Sequence, residues 1–132
     1  MPQELIDTLI QAALEEAQRQ QIPITVSIVD SGGHLRALMR MEECSYFAID
    51  MSRKKAVSSS QLKQPTHMIS EIAQKIPIIQ ASFNTNPEIV LLAGGLPILF
   101  QGKVVGGIGI SGGNFNQDRD IAEKALLAAN EK

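Results

Sequence analysis

The sequence predicts an α+β domain in which helices cover an antiparallel sheet. Two runs of apolar alternation are each folded back by a short glycine-bearing loop, and amphipathic helical patterns stand at both ends of the chain and between the hairpins. A chain of 132 residues, with 44% apolar and 20% charged side chains, is sized and composed for one such domain over residues 1–132.

Leu5, Leu9, Ala13 and Ala17, flanked by Ile6, Ile10 and Leu14, form one apolar stripe on a helix from about residue 3 to residue 20, which Pro23 stops. Ile24, Val26 and Ile28 then alternate with Thr25 and Ser27, the period of a strand with one buried face. The loop Asp30-Ser31-Gly32-Gly33 turns this strand into a second, in which Leu35, Ala37, Met39 and Met41 alternate with His34, Arg36, Leu38 and Arg40. Ser45 is the expected cap of a helix running to about Gln61, with Ile49, Arg53, Ala56 and Val57 on one side. Pro65-Thr66 opens a shorter helix that ends before Pro77, and residues 77–88 read as a loop.

Leu96 to Gln101 and Val104 to Ile110 form the second hairpin, with Gly102-Lys103 expected in a II′ turn. Ile89 to Leu92 supplies a further strand and brings the expected sheet to five. Asn116 is the expected cap of a last helix whose buried stripe is Ile121, Ala122, Ala125, Leu126 and Ala129, with Asp118 and Asp120 near the positive end of its dipole.

Composition narrows the function. The longest apolar runs fall far short of the roughly 20 residues of a membrane span, so no membrane association is expected. Met1-Pro2-Gln3-Glu4 lacks the pattern of an export signal, and the single Cys44 has no internal disulfide partner, which suggests a cytoplasmic protein. The net charge of −2, a lone basic cluster at Arg53-Lys54-Lys55, one Tyr, four Phe and no Trp argue against nucleic acid as a partner.

Two motifs look catalytic and fail on context. Gly107-Ile108-Gly109-Ile110-Ser111-Gly112 matches the dinucleotide fingerprint, yet Gly107 and Gly109 fall inside a strand, and Glu131, at the count where an acidic residue should end a second parallel strand, falls on the last helix. Gly109-Ile110-Ser111-Gly112-Gly113 matches a nucleophile elbow, but both histidines, His34 and His67, precede the serine instead of following it. A strand so poor in side chains instead lets a helix, a ligand or a partner subunit approach its backbone closely. On this reading the bare backbone near residues 106–113 exists so that something large can lie against it.

Cys44, His34 and His67 lack zinc-type spacing. Cys44 is either a packed thiol or a nucleophile with Glu42-Glu43 as acid and base, and that glutamate pair reads otherwise as a solvated loop. Arg53-Lys54-Lys55 is either an exposed helix face or an anion site. His34, beside two glycines at the head of a strand, is either an ordinary surface residue or a ligand to iron. His67, near the start of a short helix, reads as surface.

Taken together, Ile28-Val29-Asp30-Ser31-Gly32-Gly33-His34-Leu35, Lys55-Ala56, Gly94-Gly95-Leu96-Pro97-Ile98 and the run Val105 to Gly113 closely resemble the GlcG/HbpS family over nearly the whole chain. The family includes the C-terminal domain of PduO-type cobalamin adenosyltransferases, and Gln117-Asp118 with Ile121-Ala122 and Ala125-Leu126 looks like its closing helix. The resemblance implies a profilin-like fold, homo-oligomers as large as octamers, and haem binding in several members, with cobalamin a less favoured ligand. It implies His34 as the iron ligand, Lys55 as a propionate contact, and Gly94, Gly95, Gly112 and Gly113 as parts of the ligand site. Where relatives commonly read Asp-Gly-Ala after the second strand, this chain has Glu42-Glu43-Cys44, which alters that loop.

The leading expectation is a homo-oligomeric binder of haem or another tetrapyrrole for sensing, storage or delivery. Its competitors are a small enzyme or accessory factor of diol, glycerol or glycolate metabolism working through Cys44, Glu42 and Glu43, and a scaffold subunit without its own ligand.

Overall fold

The structure is a computed structural model that describes residues 1–130. Glu131, which the dinucleotide count reached, lies outside the described residues. The elements run α1 (Gln3–Gln20), β1 (Thr25–Asp30), β2 (Leu35–Arg40), α2 (Phe47–Leu62), α3 (Thr66–Lys75), α4 (Pro77–Phe83), β3 (Gly95–Phe100), β4 (Lys103–Ser111) and α5 (Phe115–Asn130). The strands form one antiparallel sheet in the order β2-β1-β4-β3.

Each face of the sheet is covered by a different kind of helix packing. On one face Val26, Ile28, Leu96, Ile98, Ile108 and Ile110 meet Ile6, Leu9, Ala13 and Ala17 of α1 and Ile121, Ala122 and Ala125 of α5, the main apolar core. These are the alternate strand positions and the helix stripes read from the sequence.

The other face carries small residues and receives α2. A Cβ on Gly109 would stand 1.9 Å from the carbonyl oxygen of Ser52, and one on Gly107 would stand 2.2 Å from that of Ala56. The large body against the bare strand is therefore the chain's own helix, packed backbone to backbone. Helix α2 fits because most of its buried residues are short, Ala48, Ser52, Ala56, Ser58, Ser59 and Ser60, with Lys55 and Val57 the larger ones. Their hydroxyls find partners at once, with Ser27 and Ser52 sharing a hydrogen bond of 2.7 Å and Ser59 and Ser60 donating back to carbonyls one turn earlier.

The sheet has four strands where five are expected. Residues 89–92 run beside α2, and the Val90 amide donates to Ser58 Oγ at 2.8 Å, so it is not free for a strand edge. The expected loop at 77–88 begins with helix α4, started by Pro77 in its first turn. The second hairpin turns on Gln101 and Gly102, with φ of 52° and 79°, so both central residues are left-handed as in a type I′ turn, not the expected II′ turn on Gly102-Lys103. Helix α2 starts at Phe47 with no side-chain cap from Ser45. Helix α5 is capped by Asn114, not Asn116: Asn114 Oδ1 accepts the Gln117 amide and Gln117 Oε1 accepts the Asn114 amide, each at 2.8 Å. Among the described residues no helix is long and apolar enough to cross a membrane.

Candidate functional site

The sequence-predicted residues separate to the two ends of the strands. Along β1, Asp30 pairs with Gly106 at one end and Thr25 with Ser111 at the other, so the His34 turn and the Ser111-Gly112 turn lie at opposite ends of the same strand pair.

At the first end, the β1–β2 turn is built on Asp30. Its Oδ1 accepts the amides of Gly32 at 2.9 Å and His34 at 3.0 Å, and Gly33 adopts φ 83°, a conformation that suits glycine. The His34 backbone amide is the largest cause holding the Asp30 carboxyl below its ordinary range. The His34 ring is 82% exposed, and its Nδ1 stands 3.4 Å from Asp30 Oδ1. That contact orients the imidazole and leaves Nε2 for an outside partner. Beside the turn lies an open cleft of about 660 Å³, bordered by Gly32, Gly33, Val57, Gln61 and, across it, Ser82 and Phe83 at the end of α4. Its size falls within the usual range of small-molecule sites.

At the other end, Lys55, Gly94 and Gly113 converge on Asp118, with Gly95 against the Lys55 backbone; the sequence placed Asp118 near the helix dipole and in the family's closing helix. Lys55 Nζ donates to Asp118 Oδ2 at 3.0 Å and to the Ile110 carbonyl at 2.8 Å. Asp118 Oδ1 accepts the Gly113 amide at 2.8 Å. Burial pushes the Lys55 ammonium down and the Asp118 carboxyl up, and each opposes the other's shift as the pair's partner charge. Lys55 is only 2% exposed, so the reading of Arg53-Lys54-Lys55 as an exposed helix face is corrected for this member. A ligand carboxylate would reach Lys55 only by displacing Asp118. Arg53 bridges Asp50 and Glu88, and Lys54 pairs with Asp50.

The glycines here are close-packed. A Cβ on Gly94 would meet the Ile110 carbonyl oxygen at 2.7 Å, one on Gly95 the Lys55 carbonyl oxygen at 2.4 Å, and one on Gly112 the Pro23 carbonyl oxygen at 2.4 Å. Cys44 is buried, with Sγ 3.4 Å from Thr25 Oγ1 and 4.0 Å from the Ser111 carbonyl oxygen. Glu42 and Glu43 are exposed on the rim of a second cleft, of about 560 Å³, walled by Leu14, Ile22, Met39 and Met41. His67 departs from its surface expectation: the residue is half-buried, and its Nδ1 is a buried atom without a hydrogen-bond partner.

The family model described as "Haem degrading protein HbpS-like" matches residues 1–127. The chain belongs to the HbpS-like family. Its curated relatives include an uncharacterized 15.0 kDa protein of the dhaT-dhaS intergenic region of Citrobacter freundii, 37% identical, with 89% of this chain and 84% of that protein covered. A second is the corrinoid adenosyltransferase PduO of Salmonella typhimurium, 35% identical over 92% of this chain but only 37% of that protein's length. The crystal structure of a PduOC:heme complex matches with TM-score 0.90 and 32% identity, covering 97% of this chain and 94% of that one.

The HbpS-like fold thus accounts for the glycine signature: Gly107 and Gly109 seat α2, while Gly94, Gly95 and Gly113 surround the Lys55–Asp118 pair. No spacing rule pointed to Asp118. The available signal was weak: Lys55 is followed by the mostly small residues Ala56 to Ser60, and a long charged side chain that falls on the buried side of such a helix must find a buried partner.

Proposed function

We propose that this HbpS-like chain binds a tetrapyrrole, haem before cobalamin, at the β1–β2 turn, with His34 Nε2 as the iron ligand. The observation that carries the reading is the exposed imidazole oriented by Asp30 beside a cleft of about 660 Å³, in a chain 32% identical to a domain crystallised with haem. The donor fits the group: a neutral imidazole is a common axial ligand, and a carboxylate beside its other nitrogen is a common partner of a ligating histidine. Bound haem would supply the redox and ligand-binding chemistry of its iron. Asp30 holds the His34 backbone amide and stands 3.4 Å from the ring, and Gly32, Gly33 and Val57 shape the cleft.

In this reading Lys55, Gly94, Gly95, Gly112 and Gly113 act at the far end of the sheet, where a propionate contact requires Asp118 to yield Lys55. Sensing, storage or delivery by a cytoplasmic homo-oligomer is the physiological role proposed, and the exposed Tyr46 and Phe47, at 82% and 65%, are surfaces on which copies would meet.

Haemin titration of the purified protein should give a saturable Soret change. His34→Ala should weaken it by at least about tenfold and Asp30→Asn less, as expected for a ligand and its orienting partner. A featureless titration, or full affinity in His34→Ala, rejects the assignment.

A further inference from the structure

Among the described residues, His67 Nδ1 is the buried side-chain polar atom left without a partner. The proton of a neutral ring therefore belongs on Nε2, and a proton added at Nδ1 would be a charged donor with nothing to accept it. His67 follows Thr66, whose Oγ1 accepts the Gly95 amide at 3.0 Å and fastens the first turn of α3 to β3. Beyond that seam, α3 is held by the buried Ile69 and Ala73, and α4 has no buried residue of its own. Helix α4 therefore stays in place mainly through α3, and its last residues, Ser82 and Phe83, form one wall of the cleft beside the His34 turn.

We propose that α3 and α4 form an acid-released flap on that cleft, latched by the neutral ring of His67. The charged groups that act on the ring are Arg119 and Glu123 of α5 and Glu71 of α3 itself. Helix α4 and strand β3 contribute no ionisable side chain, and Arg53, Lys54 and Lys55 of α2 are engaged by Asp50, Glu88 and Asp118. Burial is the largest influence on His67 and lowers its proton affinity below the ordinary value of 6.5, with Arg119 acting in the same direction. The docked state thus favours the neutral ring. Docking is strongest above pH 6.5 and weakens as the pH falls below it, because the undocked ring takes up the proton first. Opening itself needs no ligand; only its consequence for ligand access rests on reading the cleft as the tetrapyrrole site.

Native-state hydrogen exchange of α3 and α4 in the ligand-free protein, corrected for intrinsic exchange, tests this. Opening should increase between about pH 7.5 and 5.5 in the wild type, by up to about tenfold, the ceiling set by the ordinary histidine value. His67→Gln should be flat over that range, and His67→Asn serves if the first variant folds poorly. A flat wild-type profile, an unchanged slope in the variants, or a His67 proton titration at or above 6.5 overturns the proposal. Since no haem is present, a failed haemin titration leaves this result standing, and a flat exchange profile leaves the tetrapyrrole reading standing.

Discussion

Lys55 and Asp118 form an ion pair of 3.0 Å in which the two side chains are 2% and 3% exposed. It joins α2 to the start of α5 and, through Ile110 and Gly113, to the end of β4. Removing one partner leaves the other charge buried and uncompensated, which costs about 3–5 kcal/mol. Lys55→Met should show that loss in urea denaturation at neutral pH. Asp118 then keeps burial, the largest influence, which raises its carboxyl above the ordinary 3.8 against the smaller opposing effect of the Gly113 amide, so the folded state binds the proton more tightly than the unfolded state. Stability of the variant should accordingly recover as the pH is lowered towards that range. A variant as stable as wild type, or one that only worsens with acid, would contradict the buried pair.

Gly109 tests whether the bare strand serves packing or a ligand. Its missing side chain makes room for the Ser52 carbonyl oxygen, 1.9 Å from where a Cβ would stand, and a backbone group has little freedom to retreat. Gly109→Ala should cost about 3 kcal/mol or more, the upper range for overpacking, whereas Gly102→Ala, with no atom within 4 Å of its Cβ position, should cost only about 1–2 kcal/mol, that of an alanine held at the left-handed φ of 79°. Thermal unfolding followed by circular dichroism compares the two. Equal losses would show that α2 does not rest on that residue.

Periodicity made the two hairpins and the outer helices legible, because Val26 and Ile28, or Leu9 and Ala13, repeat at the spacing of the element that buries them. It failed where apolar residues are not partnered by a core. Ile89 to Leu92 looks like a strand, yet its Val90 amide is captured by Ser58 across 32 positions. Pro77 to Phe83 is helical without burying a residue, so no stripe advertised it. The nucleotide motif fails on topology, in line with the strand positions of Gly107 and Gly109, while the elbow motif fails on the chain order of its histidines. The Lys55–Asp118 pair spans 63 positions, a separation no local pattern carries.

Cys44 should behave as a packed thiol. Its Sγ is enclosed by Thr25 and the Ser111 carbonyl, and the residue is 5% exposed. Reaction with a chromogenic disulfide reagent should be slow in the native protein and rapid in denaturant, since attack needs an accessible thiolate. Fast native labelling would open the nucleophile reading that pairs Cys44 with Glu42 and Glu43.

Glu16 sets part of the acid stability. Its carboxylate is held chiefly by the Arg19 side chain, with Gln20 and Lys124 adding to the hold, and its proton affinity is lowered from 4.5 to about 2. The folded state therefore binds this proton less readily than the unfolded chain. The contribution is complete above pH 4.5 and is lost as the pH falls from there towards 2. Urea unfolding of wild type across that window should show a decline that is shallower in Glu16→Gln, and the two should differ most above pH 4.5, where the wild-type carboxylate is fully charged. Identical pH profiles would mean that the contacts with Arg19, Gln20 and Lys124 do not persist in solution, as happens for many ion pairs at protein surfaces.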